Sequence, residues 1–247
     1  MRKVHVVTAL SRMHLIEELI GHYEPMGITW RPVLFQDEDV VAFNKPWIEP
    51  FVLDHTQEGF EGFIDKGYHK KNEFIRHADI EEEDYYCILD DDDMAEAGLF
   101  DRIARMDDDV IVVSMKRGYH TPAGVAPARK YPTTTLVASP ENMRVGDVSG
   151  QQYITKGKIF RQLHFQEDFH CADGAVAVWL KERCAIRYEP DLYMLFNYFE
   201  KERWTARKIA FGALVNDMAR LDMCLKQSSL PGTLSVILNP ESSTKGL

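Results

Sequence analysis

The sequence predicts an α/β fold, a sandwich in which helices flank a mainly parallel central sheet. Three observations carry this. Apolar runs rich in β-branched or aromatic residues recur at positions 4–10, 28–35, 85–89 and 110–115, each of a length suited to a buried strand. Between them lie segments with apolar residues at helical spacing, so strand and helix alternate along the chain. With 247 residues, 45% of them hydrophobic, the chain is long enough to enclose a core.

The run at 4–10 reads as a strand. Ser11 then stands as an N-cap for a helix carrying Leu15, Ile16, Leu19 and Ile20 and stopping before Gly21. Residues 28–35 form a second strand, in which Pro32 points to an edge or a bulge. The stretch 36–67 is irregular, with Pro, Gly and aromatics, and 70–78 has helical character. Strand 85–89 follows, then a helix over 95–106 and a strand over 110–115. Residues 118–140 read as loop. A helix is expected over 172–182, a short strand over 184–188, and the longest helix over 203–227, with Ile209, Ala213, Leu214, Met218, Leu221 and Leu225 on one face. The expected organisation is a domain over 1–205, divided into two halves (1–115 and 116–205), with a helix and tail over 206–247. That last helix offers a surface for a homodimer.

Composition narrows the function. There are 39 acidic against 29 basic residues, a formal charge of −10, which argues against non-specific binding to nucleic acid. No apolar run approaches the ~18 residues of a membrane span, and the N-terminal run is too short for a signal peptide. Four widely spaced cysteines (Cys87, Cys171, Cys184, Cys224) form no disulfide framework, so a reduced, cytoplasmic chain is the expectation. The charge is also unevenly placed. Residues 79–93 hold nine acids and no Lys or Arg, leaving 30 acidic and 29 basic residues elsewhere.

That cluster contains the sharpest chemical signal, Tyr85-Tyr86-Cys87-Ile88-Leu89-Asp90-Asp91-Asp92-Asp93. An apolar strand running into four carboxylates sets like charges at its C-terminal end, where open α/β sheets bind ligands. A divalent cation relieves such repulsion, and oxygen-only ligands select Mg²⁺ or Mn²⁺. The bland reading is a solvated acidic turn ahead of a helix. Aspartate-rich metal-binding segments in prenyl-diphosphate chemistry lie on helices of all-α folds, whereas the approach here is a strand.

With its flanks, the segment resembles the family-two glycosyltransferases of the GT-A, nucleotide-diphospho-sugar fold. Those chains carry a helical G-x-x-x-[A/K]-R/K-N pattern followed by A-x-G-x-Y-I-x-x-L-D-x-D-D. This sequence has Gly67-Tyr68-His69-Lys70-Lys71-Asn72, then Ala78, a small insertion, and Asp84 through Asp93. The resemblance implies a donor such as a UDP- or GDP-sugar, with Mn²⁺ or Mg²⁺ held by Asp90, Asp92 and Asp93 of a DxD-type motif. It places Lys71, Asn72, Asp90 and Asp91 near the nucleotide, together with Thr8, Ala9, Leu10 and Arg12 after the first strand. The family's second-strand Asp-Asp-Gly-Ser is replaced by Phe35-Gln36-Asp37-Glu38-Asp39, leaving Asp37 or Asp39 as base contacts.

An inverting transferase also needs a carboxylate to deprotonate the acceptor hydroxyl. The family supplies it from an F-D-E…E-D motif before a helix. Here Phe165-Gln166-Glu167 matches the first part and Ala172-Asp173 the second, with Ala172 where a Glu is expected. Asp173 is the preferred base, its bland alternative being a helix N-cap; Asp168 of the Glu167-Asp168 pair is the runner-up. His170 is a further metal-ligand candidate, His120 and His164 could touch the site, and Lys201 or Arg203 could neutralise the leaving diphosphate. Gly150-Gln151-Gln152-Tyr153 is a candidate acceptor floor. The acceptor itself has no signature. Two rival readings stand beside the transferase: a nucleotidyltransferase of similar fold, disfavoured by the lack of glycine in Thr8–Arg12, and a non-catalytic GT-A-like binding or assembly module.

Overall fold

The computed structural model describes residues 1–38, 43–60, 63–117, 119–121, 124–126, 135–167, 169 and 171–196. Its elements in chain order are β1 (Val4–Ala9), α1 (Ile16–Tyr23), β2 (Thr29–Leu34), β3 (Phe51–Val52), α2 (Phe63–His77), β4 (Tyr85–Ile88), β5 (Met94–Ala95) and α3 (Leu99–Ile103). Then come β6 (Val110–Arg117), β7 (Tyr119–Thr121), β8 (Gly124–Ala126), β9 (Thr135–Leu136), β10 (Tyr153–Lys156), α4 (Gly157–Phe160), α5 (Ala172–Arg183) and β11 (Ile186–Phe196).

Nine strands form one sheet in the order β3-β2-β1-β4-β10-β6-β11-β5, with β9 also paired to β6; β7 and β8 make a separate hairpin. The first four strands are parallel neighbours, as is the β6–β11 pair, whereas β10 runs antiparallel between β4 and β6. The α/β class and the strands at 4–10, 28–35, 85–89 and 110–115 are therefore present. Pro32 lies in β2 opposite Thr8 of β1, next to the two-residue edge strand β3.

Side chains alternate between the two sheet faces, as the period of a strand requires. Tyr86 and Ile88 of β4 join Val7, Val33 and Val112 in a core closed by Phe74 and Ile75 of α2 and Ala175, Val176 and Leu180 of α5. Tyr85 and Cys87 join Val6, Ile111 and Val113 on the opposite face, closed by Ile16, Leu19 and Tyr23 of α1 and Leu99, Phe100 and Ile103 of α3. Helices thus cover both faces, and the C-terminal ends of β1 and β4 open onto one edge of the sandwich. Among the described residues, no helix is long and apolar enough to cross a membrane.

Several expectations are corrected. Ser11 does not cap α1, which begins at Ile16 after a 3₁₀ turn over Met13–Leu15 and continues through Gly21 to Tyr23. The Ser11 N–H is instead drawn to a carboxylate, as described below. The helix expected over 95–106 shrinks to Leu99–Ile103, because Met94–Ala95 pairs with β11 and Gly98 turns the chain with φ 77°. The strand expected over 184–188 extends to Phe196, with a register shift between Glu189 and Tyr193. The helix 203–227, the tail and the dimer surface lie outside the described residues.

Two glycines predict opposite responses. A Cβ on Gly157 would lie 2.0 Å from the Glu81 carbonyl oxygen, whereas nothing lies within 4 Å of one on Gly21 inside α1. Gly157→Ala is expected to cost at least the ~1–3 kcal/mol of an overpacked site. Gly21→Ala is expected to gain ~0.5–1 kcal/mol from helix propensity. Urea denaturation of the two variants reads both signs.

Candidate functional site

The acidic run folds as a tight turn at the end of β4, with the Asp93 N–H donating to the Asp90 carbonyl at 3.0 Å. Its four carboxylates are met by groups from three other segments of the chain. Asp91 is buried and accepts the backbone N–H groups of Ser11 and Arg12, each at 2.7 Å, and the Arg12 guanidinium. The other arm of that guanidinium reaches Asp92 Oδ2 at 3.0 Å. Asp93 is fully buried and accepts from Gln151 Nε2 at 2.7 Å. Asp90 is the most open of the four, its side chain 41% exposed, and pairs with Lys71 Nζ at 3.1 Å. Arg12 and Asp91, both expected near the nucleotide, are therefore bonded to each other.

Helix α2 supplies the counterpart. It packs on β1 and β2, and its spacing places Tyr68, Lys71 and Asn72 along one stripe. The Lys71 ammonium is buried over the rings of Tyr68 and Phe165, 5.0 and 5.7 Å from their centroids. Burial disfavours its charge, but the fields of Asp90, Asp173 and Asp93 prevail and hold its pKa above the ordinary lysine value. Lys70 points the other way, to the Leu10 carbonyl and, at 2.6 Å, to Glu38 Oε2. Its pKa is lowered by burial, with Glu38 opposing. Asn72 is a tether: its amide exchanges hydrogen bonds of 2.7 and 2.9 Å with the Phe165 backbone and donates to Glu167 at 3.1 Å.

Asp173 lies in the first turn of α5, whose N-cap is Cys171, so the N-cap reading of Asp173 does not hold. Its carboxylate rests on the backbone of Gly150, where an added Cβ would come within 2.9 Å of Oδ1. Gly150 precedes Gln151, the partner of Asp93. The turn Gly150–Gln152 therefore joins the expected base to the acidic cluster. Tyr153, just beyond, donates its hydroxyl to the Asp173 carbonyl at 3.4 Å. The elements bring Asp90, Asp92, Asp93, Lys71, Arg12 and Asp173 to one end of the sheet.

Other expected residues fall differently. Thr8 is buried at the end of β1, its hydroxyl accepting from the Trp30 indole at 3.0 Å, and Ala9 and Leu10 are buried beside it. Asp37 is exposed and accepts the Gln57 N–H at 3.1 Å, while its neighbour Glu38 is the acid that turns inward. His164 is half-buried beside Gln162, Leu163, Val176 and Trp179, with burial lowering its pKa. Asp39, Asp168, His170, Lys201 and Arg203 lie outside the described residues, and so does the side chain of His120. Glu38, Lys70 and the role of Gln151 were not anticipated; the only signal for Lys70 was its place beside Lys71 in the matched pattern.

Among the described residues, no three His, Cys, Asp or Glu side chains are gathered as a ready metal cage. No family model matches the chain, and no curated protein does. Solved structures resemble it. TarS 1–349 from S. aureus, a GT-A-type glycosyltransferase, superposes with a TM-score of 0.50 at 14% identity, over 78% of this chain and 60% of that one. The UTP-bound UGPase from Acinetobacter baumannii gives a TM-score of 0.44 at 10% identity, over 90% of this chain and 99% of that one. The chain has a GT-A-like α/β fold, and it spans less than two thirds of the TarS fragment.

The buried site predicts a pH dependence. Burial, reinforced by the charge of Asp173, raises the hydroxyl pKa of Tyr68 and Tyr153 well above 10.0, and Lys71 stands above 10.5. All three keep their protons longer in the folded chain than in the unfolded one, so their stabilisation is complete below about pH 10 and is lost as pH rises through the folded values. Lys70 acts in the opposite sense. The melting temperature is expected to fall above pH 10, and to fall less steeply in Tyr153→Phe, as thermal melts from pH 7 to 11 would read.

Proposed function

We propose that this chain is a metal-dependent glycosyltransferase moving a sugar from a nucleotide-diphospho-sugar, a UDP- or GDP-sugar, to a hydroxyl acceptor with inversion. The observation that carries the reading is the 3.1 Å ion pair of Asp90 with the buried Lys71, which also lies in the fields of Asp93 and Asp173, at the strand-end edge of a GT-A-like fold. Ligands of open α/β sheets bind at that edge. Three distant stretches of chain build it.

The donor set fits a hard cation. Mg²⁺ is held by one or two carboxylates plus substrate phosphates rather than by an all-protein cage, which suits a site where Asp90 stays open and Asp92 lies beside it. Asp90 and Asp92 would hold Mn²⁺ or Mg²⁺, with Asp93 supporting, and the ion would supply positive charge to the leaving diphosphate. Lys71 remains protonated and adds a fixed charge on the same side. The end of β1, through Thr8, Ala9, Leu10 and Arg12, frames the nucleotide. Asp173 receives the acceptor's proton as its oxygen attacks the anomeric carbon and the diphosphate departs with the bonding pair.

One observation favours the non-catalytic alternative. Arg12 already lies against Asp91 and Asp92, so part of the charge a cation would neutralise is answered within the chain. The two readings diverge in thermal shift. A transferase is stabilised by Mn²⁺ with UDP or GDP, and Asp92→Asn removes that response; no response to either nucleotide contradicts the reading. Asp173→Asn is expected to lower transfer by at least ~10²-fold, the lower end for a general base, while sparing nucleotide binding. Retained transfer would refute its assignment as the base.

A further inference from the structure

A second cluster of titratable side chains lies away from the acidic turn, where the segment after β3 meets α2. His55 and His69 face each other through their Nε2 atoms across 2.8 Å. Each ring turns its other nitrogen to a carboxylate: His55 Nδ1 lies 3.0 Å from Asp54 Oδ1, and His69 Nδ1 lies 3.3 and 3.2 Å from the two oxygens of Glu167. An ionised carboxylate only accepts, so each Nδ1 carries a proton, and the 2.8 Å between the two Nε2 atoms is a hydrogen-bond distance that a ring protonated on both nitrogens can close. With both rings neutral the two Nε2 atoms carry lone pairs, and the contact then needs a cation between them, a shared proton or a metal ion. Imidazole with its far nitrogen bound to a carboxylate is also how metal-ligating histidines are oriented and made more basic.

We propose that His55 and His69 form a binding site for a divalent transition metal of the Zn²⁺ type, with Asp54 and Glu167 orienting the rings from behind. A tetrahedral ion with Zn–N bonds of 2.0–2.1 Å sets its two nitrogens about 3.3 Å apart. The pair need open by only about 0.5 Å to reach that spacing. His55 can give by rotation, since its side chain is 37% exposed. Phe35 stacks on His69 at 6.1 Å and 9°, and Phe60 lies 4.5 Å from it, so one side of the site is dry. Water fills the remaining positions, which makes the site exchangeable rather than a closed structural centre. The ion clips the segment after β3 to α2 and, through Glu167 and Asn72, braces the 165–167 stretch. Imidazole donors select this class of metal, whereas the all-oxygen acidic turn selects Mg²⁺ or Mn²⁺.

The inference does not rest on glycosyl transfer, and its test needs no substrate. The EDTA-stripped full chain is titrated with Zn²⁺ by calorimetry and with Co²⁺ by visible absorption at pH 7.5. One equivalent is expected to bind, with a Co²⁺ d–d band. His55→Gln and His69→Gln are expected to weaken it by about tenfold or more and remove the band, and Glu167→Gln to weaken it by about 10–100-fold. Asp92→Asn is expected to leave it intact. His55→Gln changes the more exposed ring, and its circular dichroism shows whether the fold persists. Absence of binding, binding unchanged in folded His55→Gln, or loss of binding in Asp92→Asn overturns the proposal.

Discussion

Four successive carboxylates at the end of a buried strand persist only if each is met by positive charge or hydrogen-bond donors. Two unit charges 4 Å apart repel by about 4 kcal/mol at an effective dielectric of 20, and the run sets several such pairs together. The chain answers with Arg12 for Asp91 and Asp92, Lys71 for Asp90 and Gln151 for Asp93. These partners come from the loop after β1, from α2 and from the turn before β10. Satisfying the acidic turn therefore fixes how three otherwise independent segments meet, and the site is the place where they do so.

Helix α2 is the hub of that arrangement. Four consecutive residues point in four directions: His69 to His55 and Glu167, Lys70 to the Leu10 carbonyl and Glu38, Lys71 to Asp90, and Asn72 to the Phe165 backbone. Lys70 and Lys71 show how environment separates chemically identical neighbours. Both are buried, but for Lys70 burial outweighs the pull of Glu38 and Asp91 and its pKa falls, whereas for Lys71 the fields of Asp90, Asp173 and Asp93 prevail and its pKa rises.

The strands and the strand-end location of the acids are legible because short continuous apolar runs, rich in β-branched and aromatic residues, mark strands buried on both faces. The pattern from Gly67 to Asn72, followed by the acid run, marks both Lys71 and Asp90 as candidates, but their ion pair is visible only in the structure. The direction of each acid was not legible, since adjacent aspartates look alike in sequence and only the fold shows which meets Arg12 and which meets Lys71. Ser11 was read as a cap because its side chain suits one, but its backbone N–H was the group in demand. The β10 strand is not legible because its four residues, Tyr153–Lys156, are too few and too polar to form an apolar run. Glu38 rather than Asp37 faces inward because Lys70, 32 residues away, is the partner that decides it.

The account holds that these compensated carboxylates and Lys71 form a donor site rather than a structural knot. The most direct measurement is release of nucleoside diphosphate from a panel of UDP- and GDP-sugars by the purified chain, with Mn²⁺ and with Mg²⁺. The account predicts slow hydrolysis of at least one donor that depends on the metal and stops with EDTA. Failure to release nucleoside diphosphate from any donor with either metal would contradict it.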